Sequence, residues 1–435
     1  MKILLVHEYY RTLGGEDSMF AAERELLRRA GHEVVSHELH HDAISASPSA
    51  RAMAALSAVW SVPSYRAMRR LLRRVRPDVV HFHNTFPLVS PSAYRAAQLE
   101  RVPVVQTLHN YRLICPGGLL QRASRPCEDC VGRNLGPALR HACYRESRAA
   151  TAVTVGMLLF NRARGSYRHD VDRYIVLTEF ARALFVRGGL PADRLVVRPN
   201  GLPDDPGPGT GDGAFALFAG RLSREKGAAC LLEAWHRVPG LPLVIAGDGP
   251  LRADLEARAQ ALGDRVRFVG RQPRARILEL MQSASLVVLP SECYEGLPVT
   301  FIEALACGTP IAASRLGALG ELMIDGVHGV HFPPADPTGM AAAIARLLAN
   351  PSDVTAIRAR NRALFETRYS PAEALRSLEA IYRSVIGNSA QGRSRSAASP
   401  HASAVASGPS ISPEQRNEDR PRNEVAPPQP ARLAD

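Results

Sequence analysis

The feature that most constrains this chain is a repeating unit: a short β-rich apolar run, a turn, and a longer segment of helical period. Such alternation predicts parallel strands covered by helices, because each helix buries its apolar stripe against the sheet. In the first half, strands are expected at Lys2–His7, His32–Glu38, Pro77–His83, Val102–Thr107, Tyr174–Leu177 and Leu195–Arg198, with a helix over Asp17–Ala30. Residues 203–213, rich in Gly, Pro and Asp, can extend neither a strand nor a helix and mark a linker. The pattern then restarts, with strands at Phe215–Ala219, Leu243–Ala246, Val266–Val269, Ser285–Leu289 and Pro310–Ala313. Helices are expected between them at Gly227–His236, Leu251–Ala261, Ile277–Ser283 and Thr300–Ala306.

Length agrees with two such units, since 435 residues exceed what one core organises. The expected division is a domain over 1–200, a linker over 201–213, a second domain over 214–370 and a C-terminal helix over 371–387 packing back on the first domain. Residues 388–435, mostly Ser, Ala, Pro, Arg and Asn, cannot bury enough apolar surface to order and are expected to be a disordered tail. The chain is 46% apolar and 22% charged, the balance of a globular protein. Its formal charge of +12 implies an anionic partner. The apolar run around Ala152–Phe160 is too short to span a bilayer, and the first residues read as a buried strand rather than a signal peptide. Seven cysteines without an export signal point to a reducing, cytoplasmic setting.

Three passages in the second half carry chemistry. In Phe218-Ala-Gly-Arg221-Leu-Ser-Arg-Glu-Lys226-Gly227, a glycine turn and two spaced cations sit between a strand and a helix start. Free N–H groups, the helix dipole, Arg221 and Lys226 suit a pyrophosphate there, although a solvated basic turn reads the same way. In Leu243-Val-Ile-Ala-Gly247-Asp-Gly249-Pro250, the two glycines allow close approach of a ligand at the carboxyl end of a strand, or simply make a tight turn. In the third passage, Leu289 to Pro310, Glu295 lies in a Gly/Pro loop and Glu303 about one turn inside the next helix, aimed at the same end of the sheet. Carboxylates so placed suit sugar and ribose hydroxyls, and Glu303 among Phe301, Ile302, Ala304 and Leu305 requires a partner.

The first domain offers Leu13-Gly14-Gly15-Glu16, opening the first helix, and the strand ends Val80-His-Phe-His83-Asn84 and Gln106-Thr-Leu-His109-Asn110. Taken together, these passages resemble the retaining glycosyltransferases of family 4, with the GT-B architecture of two facing Rossmann-like domains. Two glutamates separated by seven residues, Glu295 and Glu303, preceded by Gly-Arg-Leu-x-x-x-Lys-Gly over Gly220–Gly227, carry the resemblance, which covers residues 1–386. It implies a nucleotide-diphosphate sugar as donor, held by Gly14, Gly15, Arg221, Lys226, Gly247, Glu295, Gly296 and Glu303. Arg221 and Lys226 would hold the diphosphate, Glu295 the transferred sugar and Glu303 the ribose; His109 and Glu295 would stand at the reacting centre, with His109 donating to a hydroxyl. The family commonly has His-Asp where this chain has His109-Asn110. The leaving phosphate takes the acceptor proton in such enzymes, so no general base and no catalytic metal are expected, in keeping with the lack of an Asp-x-Asp motif.

Cys115, Cys127, Cys130 and Cys143 cluster in an insertion over about 113–145 and match the ligand count of a structural zinc, with free thiols or an occasional disulfide as alternatives. Ser64–Arg76 places Met68, Leu71, Leu72 and Val75 on one stripe and arginines elsewhere, which suits either a core-facing helix or one lying on an anionic bilayer. The expected activity is transfer of a hexose to a glycan or lipid-linked acceptor in cell-surface polysaccharide or glycolipid synthesis, at the inner face of the cytoplasmic membrane. An epimerase or phosphorylase of the same architecture is the enzymatic alternative. Nucleic-acid binding, suggested by charge alone, lacks a basic stripe interleaved with aromatics.

Overall fold

A computed structural model describes residues 1–10, 14–40, 48–123, 125–132 and 134–397, without the side chains of 48–52 and 390–397. The chain divides into two compact units, Met1–Gln391 and Gly392–Asp435. The first holds two six-stranded parallel sheets.

The first sheet contains β1 (Lys2–Tyr9), β2 (Glu33–His40), β3 (Val79–Phe82), β4 (Val104–Thr107), β7 (Arg173–Val176) and β8 (Leu195–Val197), in the order β2-β1-β3-β4-β7-β8. A two-stranded ribbon, β5 (Gln121–Arg122) with β6 (Arg125–Pro126), lies in the cysteine insertion. The second sheet contains β9 (Ala216–Ala219), β10 (Leu243–Ala246), β11 (Val266–Gly270), β12 (Leu286–Leu289), β13 (Ile311–Ser314) and β14 (Gly329–Phe332), ordered β11-β10-β9-β12-β13-β14. Strands β3, β4, β10, β12 and β13 are buried at every position, as expected for parallel strands covered on both faces. That burial is why they read as continuous apolar runs. Strand β14 was absent from the sequence reading, because Gly-Val-His-Phe is too short and mixed to stand out.

Strand order reverses beside β1 in one sheet and beside β9 in the other, and such switch points open a crevice at the carboxyl ends of the strands. The passages singled out by sequence follow β1, β3 and β4 on one side and β9, β10 and β12 on the other. Helix Pro371–Ala397 runs past the expected end at 387, so the segment 388–397 is helical rather than the start of a disordered tail. No proline interrupts residues 388–397, though Asn388, Gly392 and the serines are weak helix formers; the rest of that tail, 398–435, lies outside the described residues. Within the first unit, Leu378, Ile381, Tyr382 and Val385 of this helix join Ile3, Leu5, Phe20 and Val79 in the first domain's core.

Candidate functional site

In the second domain the Lys226 ammonium lies 2.6 Å from Glu295 Oε1, and Ser291 Oγ donates to the same oxygen at 2.6 Å. Burial pushes Glu295 up, but Lys226 and the two hydrogen bonds outweigh it and hold the carboxyl below its usual range. Lys226 is the mirror case: burial pulls it down, and Glu295 turns the net shift upward. Arg221, directly after β9, is exposed and makes no side-chain hydrogen bond or ion pair among the described residues, leaving its guanidinium available. Glu303 is 6% exposed and takes its required partner from Arg274, whose Nε donates to Oε1 at 2.9 Å while a terminal nitrogen reaches Asp204 at 2.9 Å. Burial raises the Glu303 carboxyl and Arg274 only partly offsets it.

Packing alone already requires the glycines of the 247–249 turn. Gly247 has φ +157°, and a Cβ there would sit 1.8 Å from the Gly220 carbonyl oxygen; one on Gly249 would sit 2.4 Å from that of Leu222. The Gly220–Leu222 backbone fills the space that a side chain would need at either position. The two turns lock together, Gly220 N donating to Ala246 O at 3.0 Å and Leu222 N to Asp248 O at 2.9 Å, and this fixes the loop that carries Arg221.

The facing side is built from the first sheet. Asp17 accepts from Gly14 N at 2.7 Å and contacts His7 Nε2 at 2.8 Å, pinning Gly14 and Gly15 at the end of β1; Leu13 lies outside the described residues. A Cβ on Gly15 would lie 3.6 Å from Val299, and one on Gly296 would lie 3.4 Å from the His109 carbonyl oxygen, so both glycines stand where the two domains meet. Tyr111 OH donates to Glu295 O at 3.4 Å across the same seam.

Behind His109 lies a buried chain that sequence reading did not find. Arg198 pairs with Glu23 at 2.7 Å, and His81 Nδ1 and His83 Nε2 each lie 3.1 Å from Glu23 Oε1. His83 Nδ1 lies 3.1 Å from His109 Nε2 with the rings stacked. Burial works against the Glu23 charge, but Arg198 and the two imidazoles hold this carboxyl well below its usual range, so it only accepts. His83 Nε2 and Glu23 Oε1 are close without completing a hydrogen bond, and the tautomers set which of His83 Nδ1 and His109 Nε2 donates to the other. Burial and the neighbouring His81 pull His83 down to about 4, and burial with His83 pulls His109 well below the usual range, so both rings are neutral. Nothing in the sequence announces Glu23 or Arg198, which sit on a helix and after a strand far apart along the chain.

Among the described residues, the three ligand-type side chains with donor atoms within 4.8 Å of one another are Glu23, His81 and His83, not the cysteines. Arg198 already supplies the cation there. Cys115, Cys127, Cys130 and Cys143 are free thiols gathered in one loop cluster. Burial, then Cys115, Cys143 and Cys127, push Cys130 up to about 11.

Residues 14–205 match the family model described as Glycosyltransferase Family 4, and residues 207–363 that of the group 1 glycosyl transferases. Alpha-D-kanosaminyltransferase of Streptomyces kanamyceticus is 30% identical over 348 residues, 76% of this chain and 84% of that protein. A glycogen synthase of Mycobacterium tuberculosis is 32% identical over 289 residues, and the match spans 64% of this chain but 62% of that protein's length. Among solved structures, Anabaena HepE in complex with UDP superposes with a TM-score of 0.64 at 19% identity, over 88% of this chain and 100% of that one. The sucrose-phosphate synthase of Thermosynechococcus elongatus reaches 0.67 at 20% identity, over 89% and 100%. These two structures establish the shared fold of two facing domains.

Proposed function

Because this chain belongs to glycosyltransferase family 4, we propose that it moves a sugar from a nucleotide-diphosphate sugar to a glycan or lipid-linked acceptor with retention of configuration. The setting we assign is cell-surface polysaccharide or glycolipid synthesis at the inner face of the cytoplasmic membrane. The observation that carries the reading is the Lys226–Glu295 pair at the β9/β12 switch point, set against the His109 loop of the opposite domain. Lys226 and the free Arg221 would neutralise the charge that grows on the diphosphate as its bond to the anomeric carbon breaks. The acceptor hydroxyl forms the new bond on the same face, and its proton passes to the departing phosphate oxygen. Glu295 would accept from hydroxyls of the transferred sugar, Glu303 from the ribose, and His109 would hydrogen-bond a sugar or acceptor hydroxyl.

We propose that the four thiols, whose sulfurs do not lie within 4.8 Å of one another as a ligand set in this structure, take up a structural zinc by closing on it as thiolates. Metal analysis of the purified chain should return one zinc, lost in Cys127→Ser; a metal-free chain with four alkylatable thiols would overturn this. The transferase reading is tested by incubating the protein with UDP-, GDP- and ADP-sugars and measuring nucleotide diphosphate release, beside Glu303→Gln. One donor should turn over and the variant should lose most of that turnover. Failure of every donor to bind or react would refute the reading.

A further inference from the structure

The cysteine insertion of the first domain reaches the donor-domain loop that carries Glu295. Tyr294 OH donates to Glu128 Oε1 at 2.9 Å, and Gln121 Nε2, on β5, adds a weaker contact to Glu292 O at 3.5 Å. Glu128 stands between the two cysteines of Cys127-Glu-Asp-Cys130. Its turn is closed by Cys127 N donating to Leu120 O at 2.8 Å and Val131 N donating to Glu128 O at 2.9 Å. The second carboxylate oxygen of Glu128 lies 2.8 Å from Arg187, at the end of helix Glu179–Arg187, so the first domain braces the side chain and offers Oε1 to its partner.

Tyr294 belongs to the second domain by sequence but packs with the first. Its ring meets Phe180 edge-on at 4.8 Å and joins the apolar cluster of the first domain. Gly317, at φ +53°, makes the room, since a Cβ there would lie 2.8 Å from the Tyr294 ring and 3.2 Å from that of Phe180. Burial, then the hydrogen bond to Glu128, push the Tyr294 hydroxyl up to about 12, so it keeps its proton near neutrality and donates. The next side chain, Glu295, bonds instead to Lys226 and Ser291 of its own domain. The 291–295 loop is therefore fastened on both sides of the seam.

We propose that Glu128 and Tyr294 are positioning residues for the donor sugar: through their contact, the cysteine insertion holds the loop that presents Glu295 in its sugar-binding conformation. The proposal rests on the transferase reading and gives the insertion a part in the reaction. Both residues act through Glu295. A loop that can leave its binding conformation lowers the apparent donor affinity by the fraction of time it is away, and saturating donor restores it. Loss of one hydrogen bond to a charged acceptor, screened because the Glu128 side chain is 28% exposed, corresponds to about fivefold in that affinity.

Tyr294→Phe removes the hydroxyl and keeps the ring on Phe180, while Glu128→Ala removes the acceptor. The assay uses whichever of the UDP-, GDP- and ADP-sugars turns over. Each variant, and the double variant, should raise the donor KM about fivefold with kcat retained, because the second change finds the contact already broken. Hydrogen exchange of the free full-length chain gives a readout without turnover: amides of residues 292–297 should exchange about fivefold faster in all three variants, with β12 unchanged. If no donor reacts with the parent chain, the transferase reading falls and this proposal with it. If a donor reacts but either the KM or the exchange of the variants matches the parent, the proposal alone falls. Loss of kcat at unchanged KM, or effects of the two changes that multiply in the double variant, would equally overturn it.

Discussion

Replacing Lys226 with alanine removes the cation that faces Glu295, and the consequences separate structure from chemistry. The side chains of Lys226 and Glu295 are 31% and 12% exposed. A fully buried charge stripped of its partner costs about 3–5 kcal/mol; Lys226 is close to a third exposed, so solvent screening reduces this to about 2 kcal/mol. Glu295→Gln alone should cost less, about 1 kcal/mol, because Lys226 can turn toward solvent. The double variant then has neither charge, and the coupling recovered should be about 1–2 kcal/mol. Catalysis should follow a different rule. If Lys226 steadies the departing diphosphate, its loss should lower kcat/KM by about 100- to 1000-fold, and Glu295→Gln in the same chain should recover none of it. Urea denaturation of the four proteins at pH 7 gives the stability cycle, and nucleotide diphosphate release gives the kinetic one. Recovery of turnover in the double variant would refute the argument, since Lys226 would then serve only to neutralise Glu295.

Gly247→Ala would drive a methyl group to 1.8 Å from the Gly220 oxygen at a φ that side chains rarely adopt; it should cost about 3 kcal/mol or more and displace the Arg221 loop, seen as weaker donor binding by calorimetry. His83 is held down to about 4, so between pH 6.5 and 4 the unfolded chain takes up a proton that the folded chain refuses. Stability should therefore fall across that window as pH drops, by about 3 kcal/mol for this group, and His83→Gln should flatten the slope in urea titrations; an unchanged slope would count against the assignment. Arg274→Ala leaves Glu303 buried beside a lost partner that is itself 37% exposed, and should cost about 1–2 kcal/mol at pH 7. Because Glu303 is raised in the folded state, the deficit should be smallest below about pH 4.5, the ordinary carboxyl value, and grow as pH rises toward neutrality.

The amino-acid pattern alone carried the two parallel-sheet units, since strands buried on both faces must be apolar runs and their crossovers must be amphipathic. It also carried the Gly220–Gly227 and Glu295–Glu303 passages, because turn glycines, spaced cations and paired carboxylates are local features. The tertiary structure decided everything that depends on partners distant along the chain. Lys226 and Glu295 meet across 69 positions, Arg274 and Glu303 across 29, and Arg198 and Glu23 across 175. Behind His109 stand His83, Glu23 and Arg198 in turn, a chain of buried polar contacts that no spacing encodes. The glycines at 247 and 249 were legible as special, but only the packed turns show that the neighbour is backbone. Likewise Met53, Leu56, Val62, Leu159 and Phe160, which the structure leaves exposed, look like ordinary core in a linear text. Their exposure is a property of which helix faces remained after the sheet was covered, and burial of that kind is settled only when the whole chain has packed.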